Sequence, residues 1–186
     1  MKVYDFDNTI YNGDSSIDFY FYCLKNYPKV AFYIPVQMKG FLMYYMGFIS
    51  KTELKEYFFS FLKGIEFPAD AVNSFWDSNF YKIYNWYLIQ KNINDVIISA
   101  SPKFLLKEAC ARLGVKNLIA SDVDSCTGKF FRKNCHDIMK VIYFKEIYHK
   151  SEISEFYSDS LSDTPMAKLA RKAFLIKNGQ VLLWPE

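Results

Sequence analysis

The sequence has 186 residues, enough for one hydrophobic core with a modest insertion and short for two independent domains. A formal net charge of +3, with acidic and basic residues interspersed rather than blocked, excludes the basic stripe of a nucleic-acid-binding protein. Cys23, Cys110, Cys126 and Cys135 form no Cys-x-x-Cys pair and meet no histidine at zinc-ligand spacing, so they read as reduced thiols of a cytoplasmic protein.

In chain order, residues 2–6 alternate loosely and run into Asp-Asn-Thr, which predicts a short buried strand ending in a polar loop. No secretory signal pattern precedes it, so the start of the chain is expected to belong to the fold. From about Asp14 to Gln90 the apolar spacing is helical, with breaks at Tyr27-Pro28, Met46-Gly47 and Lys63-Gly64 through Pro68, which predicts about four helices. Aromatic residues make up 19% of the chain, and most of them fall here. Asp95–Ser99 is a short apolar run followed by Ala-Ser-Pro, a buried strand leading into a helix, with Ser101 expected to cap it and Pro102 at its first position. A helix over 103–113 ends at Gly114, an apolar run covers Asn117–Ala120, and Thr127-Gly128 marks a hairpin turn within Asp124–Phe131. A helix is expected over 135–149 and a strand over Ile153–Ser158. A helix then opens at Thr164-Pro165, and late strands follow over Ala173–Ile176 and Val181–Leu183.

Strands that alternate with helices imply an α/β fold, a mostly parallel sheet covered on both faces, whose ligands bind beyond the carboxyl ends of the strands. Asp5 and Asp7, Ser99 and Ser101, and Asp159 and Asp163 all sit at such ends, so residues distant in sequence converge on one edge of the sheet. Any one of these pieces alone is equally well a turn, a helix cap or a solvated lysine. Together they gather several carboxylates, which stay ionised side by side only around a cation, and an oxygen-only donor set suits Mg2+. A phosphate ester is the matching substrate, with Ser99 and Lys140 supplying a hydroxyl and a cation to the phosphoryl oxygens.

With these motifs the sequence resembles the haloacid dehalogenase superfamily, in the branch of phosphoserine phosphatase and phosphatidylglycerophosphatase C. Asp5-Phe6-Asp7-Asn8-Thr9 resembles the first motif, Ser99 after Val96-Ile97-Ile98 the second, and Asp159-Ser160-Leu161-Ser162-Asp163 the fourth. Lys140, six residues after Asn134, keeps the register of the third, with Asp137 in place of the usual Gly. The resemblance implies a three-layer Rossmann-like core, residues 1–13 and 91–186, with an all-helical cap, residues 14–90, inserted between the first and second motifs. It also implies a phosphoric monoester hydrolase in which Asp5 is nucleophile, Asp7 general acid and base, and Ser99 and Lys140 hold the phosphoryl group. Mg2+ would be held by Asp5, Asp7 through its main-chain carbonyl, Asp159 and Asp163. Asn8, Thr9, Ala100 and Asp14 are then the positions expected against substrate.

A cap arginine that grips the substrate carboxylate in phosphoserine phosphatase is missing, because the first arginine of this chain is Arg112; Lys51 or Lys55 is the available substitute. Val30–Ile49 is long and apolar but interrupted by Pro35, Gln37, Lys39 and Gly40, and a single crossing would put Asp5 and Ser99 on opposite sides of a bilayer. A buried helix pair is expected, or a surface in peripheral contact with a membrane and open to a lipid-like phosphate. The rival readings are a catalytically silent interaction protein of the same fold and a phosphotransferase using the same aspartyl phosphate.

Overall fold

A computed structural model describes residues 1–149 and 152–185. Its strands are β1 (Lys2–Tyr4), β2 (Val96–Pro102), β3 (Asn117–Ser121), β4 (Ile153–Ser158), β5 (Ala170–Lys177) and β6 (Gln180–Leu183), in the spatial order β3-β2-β1-β4-β5-β6. β1 to β5 run parallel, with Val3 opposite both Val96 and Phe156. β6 returns antiparallel through Asn178-Gly179, both at positive φ, the two-residue turn that Asn-Gly favours.

Successive side chains on a strand point to opposite faces, and the two faces have separate cores. Val3, Val96, Ile98, Ile119 and Phe156 pack under α7 (Ile138–Tyr148) and α8 (Thr164–Ala167). Tyr4, Ile97 and Tyr157 pack on the other side, in one cluster with Leu105 and Leu106 of α6 (Lys103–Leu113) and much of the helical stretch between β1 and β2. This is the three-layer α/β architecture expected from the strand and helix alternation.

The helical stretch comprises α1 (Ser15–Asn26), α2 (Ile34–Tyr45), α3 (Lys51–Phe59), α4 (Pro68–Asn79) and α5 (Asn85–Gln90), joined by 3-10 turns at Pro28–Tyr33, Ser60–Gly64 and Phe80–Lys82. The break between α4 and α5 carries no Gly or Pro and was not among the expected ones. It is made by tertiary bonds: Tyr84 N–H donates to Ile10 O at 2.8 Å, Asn12 N–H to Lys82 O at 2.9 Å, and Ile83 bridges to Tyr11.

The aromatic excess has its place on this face of the sheet. Tyr157 stacks between Tyr4 and Phe174 at 4.6 and 4.8 Å, while Trp76 meets Phe6, Tyr11 and Phe75 edge-on and donates its Nε1–H to Leu105 O at 2.8 Å. A buried aromatic of this kind contributes about 1.5–3 kcal/mol by burial alone, so α4 is anchored to the sheet rather than standing away from it.

α2 and α3 pair with each other, and a Cβ on Gly40 would fall 2.3 Å from Tyr57 Cβ, so only glycine permits the approach. The long apolar segment 30–49 is thus divided into a 3-10 turn and a twelve-residue helix, and among the described residues no helix is long and apolar enough to cross a membrane. Phe32, Met38, Phe41, Leu42, Tyr45, Met46 and Phe48 remain exposed along it, where the sequence reading had favoured a buried pair. Among the described residues no further layer covers the face of α2 turned from α3.

Candidate active site

The loop after β1 carries the first motif. Asp5 leaves the strand but its N–H still reaches Tyr157 O at 2.8 Å, so its backbone stays tied to β4. Phe6 O then accepts from the N–H groups of Ile10 and Tyr11, and Asn8, at φ 53, donates its N–H to Gly13 O at 2.9 Å. Asn is among the few residues that adopt this left-handed conformation readily.

Lys140, in the first turn of α7, donates from Nζ to Asp5 Oδ1 at 2.8 Å and to Asp163 Oδ2 at 2.6 Å, and its side chain is only 4% exposed. Asp163 Oδ2 also accepts from Ser158 Oγ at 2.7 Å, and Asp159 N–H donates to Thr9 Oγ1 at 2.9 Å. The first, third and fourth motifs are therefore bonded to one another. α7 begins at Ile138 rather than at residue 135, because Cys135 N–H donates to Ser121 Oγ and Asp137 takes a positive φ.

Asp7 is held separately. Its Oδ1 accepts from Ser15 N–H at 2.7 Å, and its Oδ2 from Ser101 Oγ at 2.5 Å. Ser101 N–H in turn donates to Ser99 Oγ at 3.0 Å, which links the second motif to the first. Ser101 is not the cap of α6, as the sequence reading had it: the cap position is Pro102, without a side-chain bond, and the Ser101 hydroxyl goes to Asp7. With its Oγ turned to the Asp7 carboxylate, a strong acceptor, the Ser101 side chain does not meet the free amides of α6.

Of the four residues expected against substrate, Asp14 and Ala100 line a cavity beside Asp7, and Asp14 also caps α1 through Ser16 N–H and Ile17 N–H. Asn8 and Thr9 do not line it. The Asn8 N–H is already spent on Gly13, and Thr9 is fully buried with its hydroxyl turned to Asp159. Lys55 of α3 reaches Ala100 O at 2.9 Å and Asn134 Oδ1 at 3.2 Å, and Lys51 Nζ lies 3.2 Å from His136 Nε2. Sequence reasoning placed Ser101 at the converging edge without its bond to Asp7, and missed Ser15 and Ser158 as partners of the aspartates; their position at a helix start and a strand end was the only signal.

Burial shapes the charges. It pushes Asp5 up to about 8 despite the adjacent Lys140, and it raises Asp7 to about 6, with the Asp14 carboxylate adding to the effect and the Ser101 and Ser15 bonds opposing it. Asp159 is raised by burial too. For Lys140, burial works against the charge, but Asp5 and Asp163 outweigh it and hold the ammonium above the usual lysine range. Lys55 has no carboxylate in ion-pair contact among the described residues, and burial lowers it to about 8.

The profile of haloacid dehalogenase-like hydrolases matches residues 3–168, nearly the whole chain. The chain belongs to this family. Solved structures agree on the fold. A protein of unknown function from Bordetella pertussis Tohama I superposes with a TM-score of 0.71 at 16% identity, over 93% of this chain and 87% of that one. A phosphoserine phosphohydrolase-like protein from Francisella tularensis gives 0.54 at 15% identity over 93% and 86%, and a phosphoserine phosphatase in its apo form gives 0.51 at 13% over 92% and 82%. No curated protein matches the sequence.

In this haloacid dehalogenase-like hydrolase, Asp5, Asp159 and Asp163 set three carboxylates against the one ammonium of Lys140, an excess of negative charge that a hard divalent cation with oxygen ligands fits. Among the described residues no three His, Cys, Asp or Glu side chains already close on a single point.

Proposed function

We propose that the chain is a magnesium-dependent phosphomonoester hydrolase working through an aspartyl phosphate on Asp5. The observation that carries the reading is the pairing of a buried Asp5 with Lys140 at 2.8 Å while Asp7, two residues on, is bonded to the end of β2 through Ser101. An isolated structural ion pair would not need the second carboxylate raised to about 6 beside a cavity.

Asp5 Oδ attacks phosphorus in line, an O–P bond forms to Asp5 and the ester P–O bond breaks. Asp7 gives its proton to the leaving oxygen, then takes one from the water that attacks phosphorus and releases Asp5 and inorganic phosphate. Burial holds Asp7 above the usual carboxylate range, which favours the proton it has to give to the leaving oxygen. Lys140 stabilises the nucleophile and the phosphoryl oxygens, and the Ser99 hydroxyl stands at the end of β2 to hold one of them. Asp5, the Asp7 carbonyl, Asp159 and Asp163, the last directly or through water, would hold Mg2+, which when bound neutralises the phosphoryl charge.

In this reading residues 14–90 are the cap, with α2 and α3 over the site, and the protein is cytoplasmic. The exposed aromatic and aliphatic side chains of α2 favour peripheral contact with a lipid surface and would also permit a dimer. Flotation with liposomes, for the parent and for Phe48→Ser with Tyr45→Ser, tests the lipid contact, which fails if the parent does not float.

The test of the function is phosphate release from an aryl phosphate with Mg2+, with chelator, and in Asp5→Asn and Asp7→Asn. Asp5→Asn loses about 10⁴-fold or more, and Asp7→Asn about 10²- to 10⁴-fold. Full magnesium-dependent turnover by Asp5→Asn refutes the reading. Absence of turnover across a broad panel of esters favours a silent interaction protein, and transfer to an alcohol instead of water a phosphotransferase.

A further inference from the structure

Asp7 lines a cavity of about 210 Å³ whose walls come from α1, α2 and α3: Ile17, Phe41, Leu54, Phe58 and Phe59. The cavity also reaches Ser101 and Ala100 at the end of β2, whereas Asp5 and Lys140 are not among its walls. If Asp7 protonates the leaving oxygen, this is the space in which the leaving alcohol lies. We propose that the alcohol is compact and apolar, an aryl or branched-alkyl group, so that the substrate is the phosphate monoester of such an alcohol. The inference rests on the function proposed above and narrows it to a substrate class.

Three features point the same way. Five of the wall residues are aliphatic or aromatic, and the polar groups beside them are largely committed to the protein. Ser16 Oγ lies 2.9 Å from Ser101 Oγ, Ser101 donates to Asp7, Asp14 Oδ1 accepts from two amides, and Lys55 is bonded to Ala100 O and Asn134 Oδ1. A polyol or amino acid entering here would shed water from several groups and regain few bonds, and such losses discriminate strongly between substrates. Finally, the walls enclose room for about one ring or a short branched chain before a ligand meets solvent past Phe41 and Ile17, a volume below the roughly 300–1,000 Å³ of pockets for drug-sized ligands.

The experiment uses the full chain with Mg2+ and a series of alkyl phosphates of nearly constant leaving-group acidity: methyl, isobutyl, cyclohexylmethyl and dodecyl, beside the phosphates of serine, glycerol and glucose. We expect kcat/KM to rise about fourfold per buried methylene up to the cyclohexylmethyl ester and then to level. Phe41→Ala and Ile17→Ala, at positions 56% and 41% exposed and so outside the folding core, should each cut the cyclohexylmethyl-to-methyl ratio by about tenfold. A flat series, a preference for the serine, glycerol or glucose ester, or a ratio unchanged in both variants overturns the inference. So does a climb unbroken to dodecyl, which would put the chain along the exposed face of α2 rather than in the cavity. Loss of ¹⁸O from labelled inorganic phosphate needs the aspartyl phosphate but no leaving group. Exchange together with a flat series sinks the substrate class alone, and neither exchange nor turnover sinks the hydrolase reading and this inference with it.

Discussion

Lys140→Met removes the one cation that holds two buried carboxylates. Lys140 Nζ stands 2.8 Å from Asp5 and 2.6 Å from Asp163, and the three side chains are 4%, 11% and 2% exposed, so water cannot take its place without opening the site. Deleting one partner of a buried pair costs about 3–5 kcal/mol, a large share of the about 5–15 kcal/mol that stabilises a domain. The cost depends on pH in a definite direction. Burial already puts Asp5 at about 8 with the ammonium in place; without it the folded chain keeps that proton to higher pH, while the unfolded chain releases it near 4. Both folded chains thus bind more protons than the unfolded chain from about pH 4 and lose stability in parallel up to about pH 8; beyond it the parent releases the Asp5 proton and the variant does not, so the variant falls relative to the parent as pH rises above about 8. Urea unfolding of both proteins at pH 8 and pH 9.5, in chelator, reads the effect. Magnesium at about 100 times its Kd should add about 2.7 kcal/mol to either protein that binds it. A deficit under about 1 kcal/mol at pH 9.5, or one that does not grow from pH 8 to pH 9.5, refutes the account of Lys140 as the counter-ion of a buried carboxylate pair.

Two further outcomes follow from the contacts of α3. A Cβ on Gly128, at φ 77, would lie 2.4 Å from Phe59 O, so Gly128→Ala should cost at least about 2 kcal/mol and lower Tm by about 4–8 °C. Gly47→Ala, at φ 76 with nothing within 4 Å, should cost only the backbone penalty of about 1 kcal/mol; equal thermal shifts for the two would refute the clash. Lys55, lowered to about 8 by burial, loses its proton in the folded chain before the unfolded chain does, near 10.4, so stability from this group rises with pH across that window. The parent should therefore gain up to about 3 kcal/mol relative to Lys55→Met between pH 8 and pH 10.5, measured by denaturant unfolding at both ends, and a constant difference would show Lys55 to be solvated.

Much of the site was legible because its residues come from the ends of predictable elements. Apolar runs at Val96–Ser99 and Ile153–Ser158 are strands in the structure, and the polar residues after them fall where a parallel sheet puts them. Lys140 was found through the register of a family motif, and its place against Asp5 depends on a contact across 135 residues that no local pattern carries. Ser101 was read as a cap because capping is a local pattern. The carboxylate to which its hydroxyl donates, Asp7, is 94 positions away and enters only when β1 and β2 lie side by side. The division of α4 from α5 was hidden for the same reason, since it is enforced by bonds from Lys82, Ile83 and Tyr84 to the loop after β1.

What the sequence by itself determined is the alternation of strands and helices, hence the parallel sheet, and the residue types that gather at its edge. Period and strand-end position are local properties, and they survive without knowledge of neighbours. Tertiary structure decided the partners: Lys140 between two aspartates, Ser101 on Asp7, Lys55 over Ala100, and an apolar cavity beside the second aspartate. Hydrogen bonds and burial depend on which atoms meet in space, and α2 shows the same rule in reverse. Its apolar sequence predicted a buried helix, yet among the described residues no element covers its outer face, and the side chains there stay exposed.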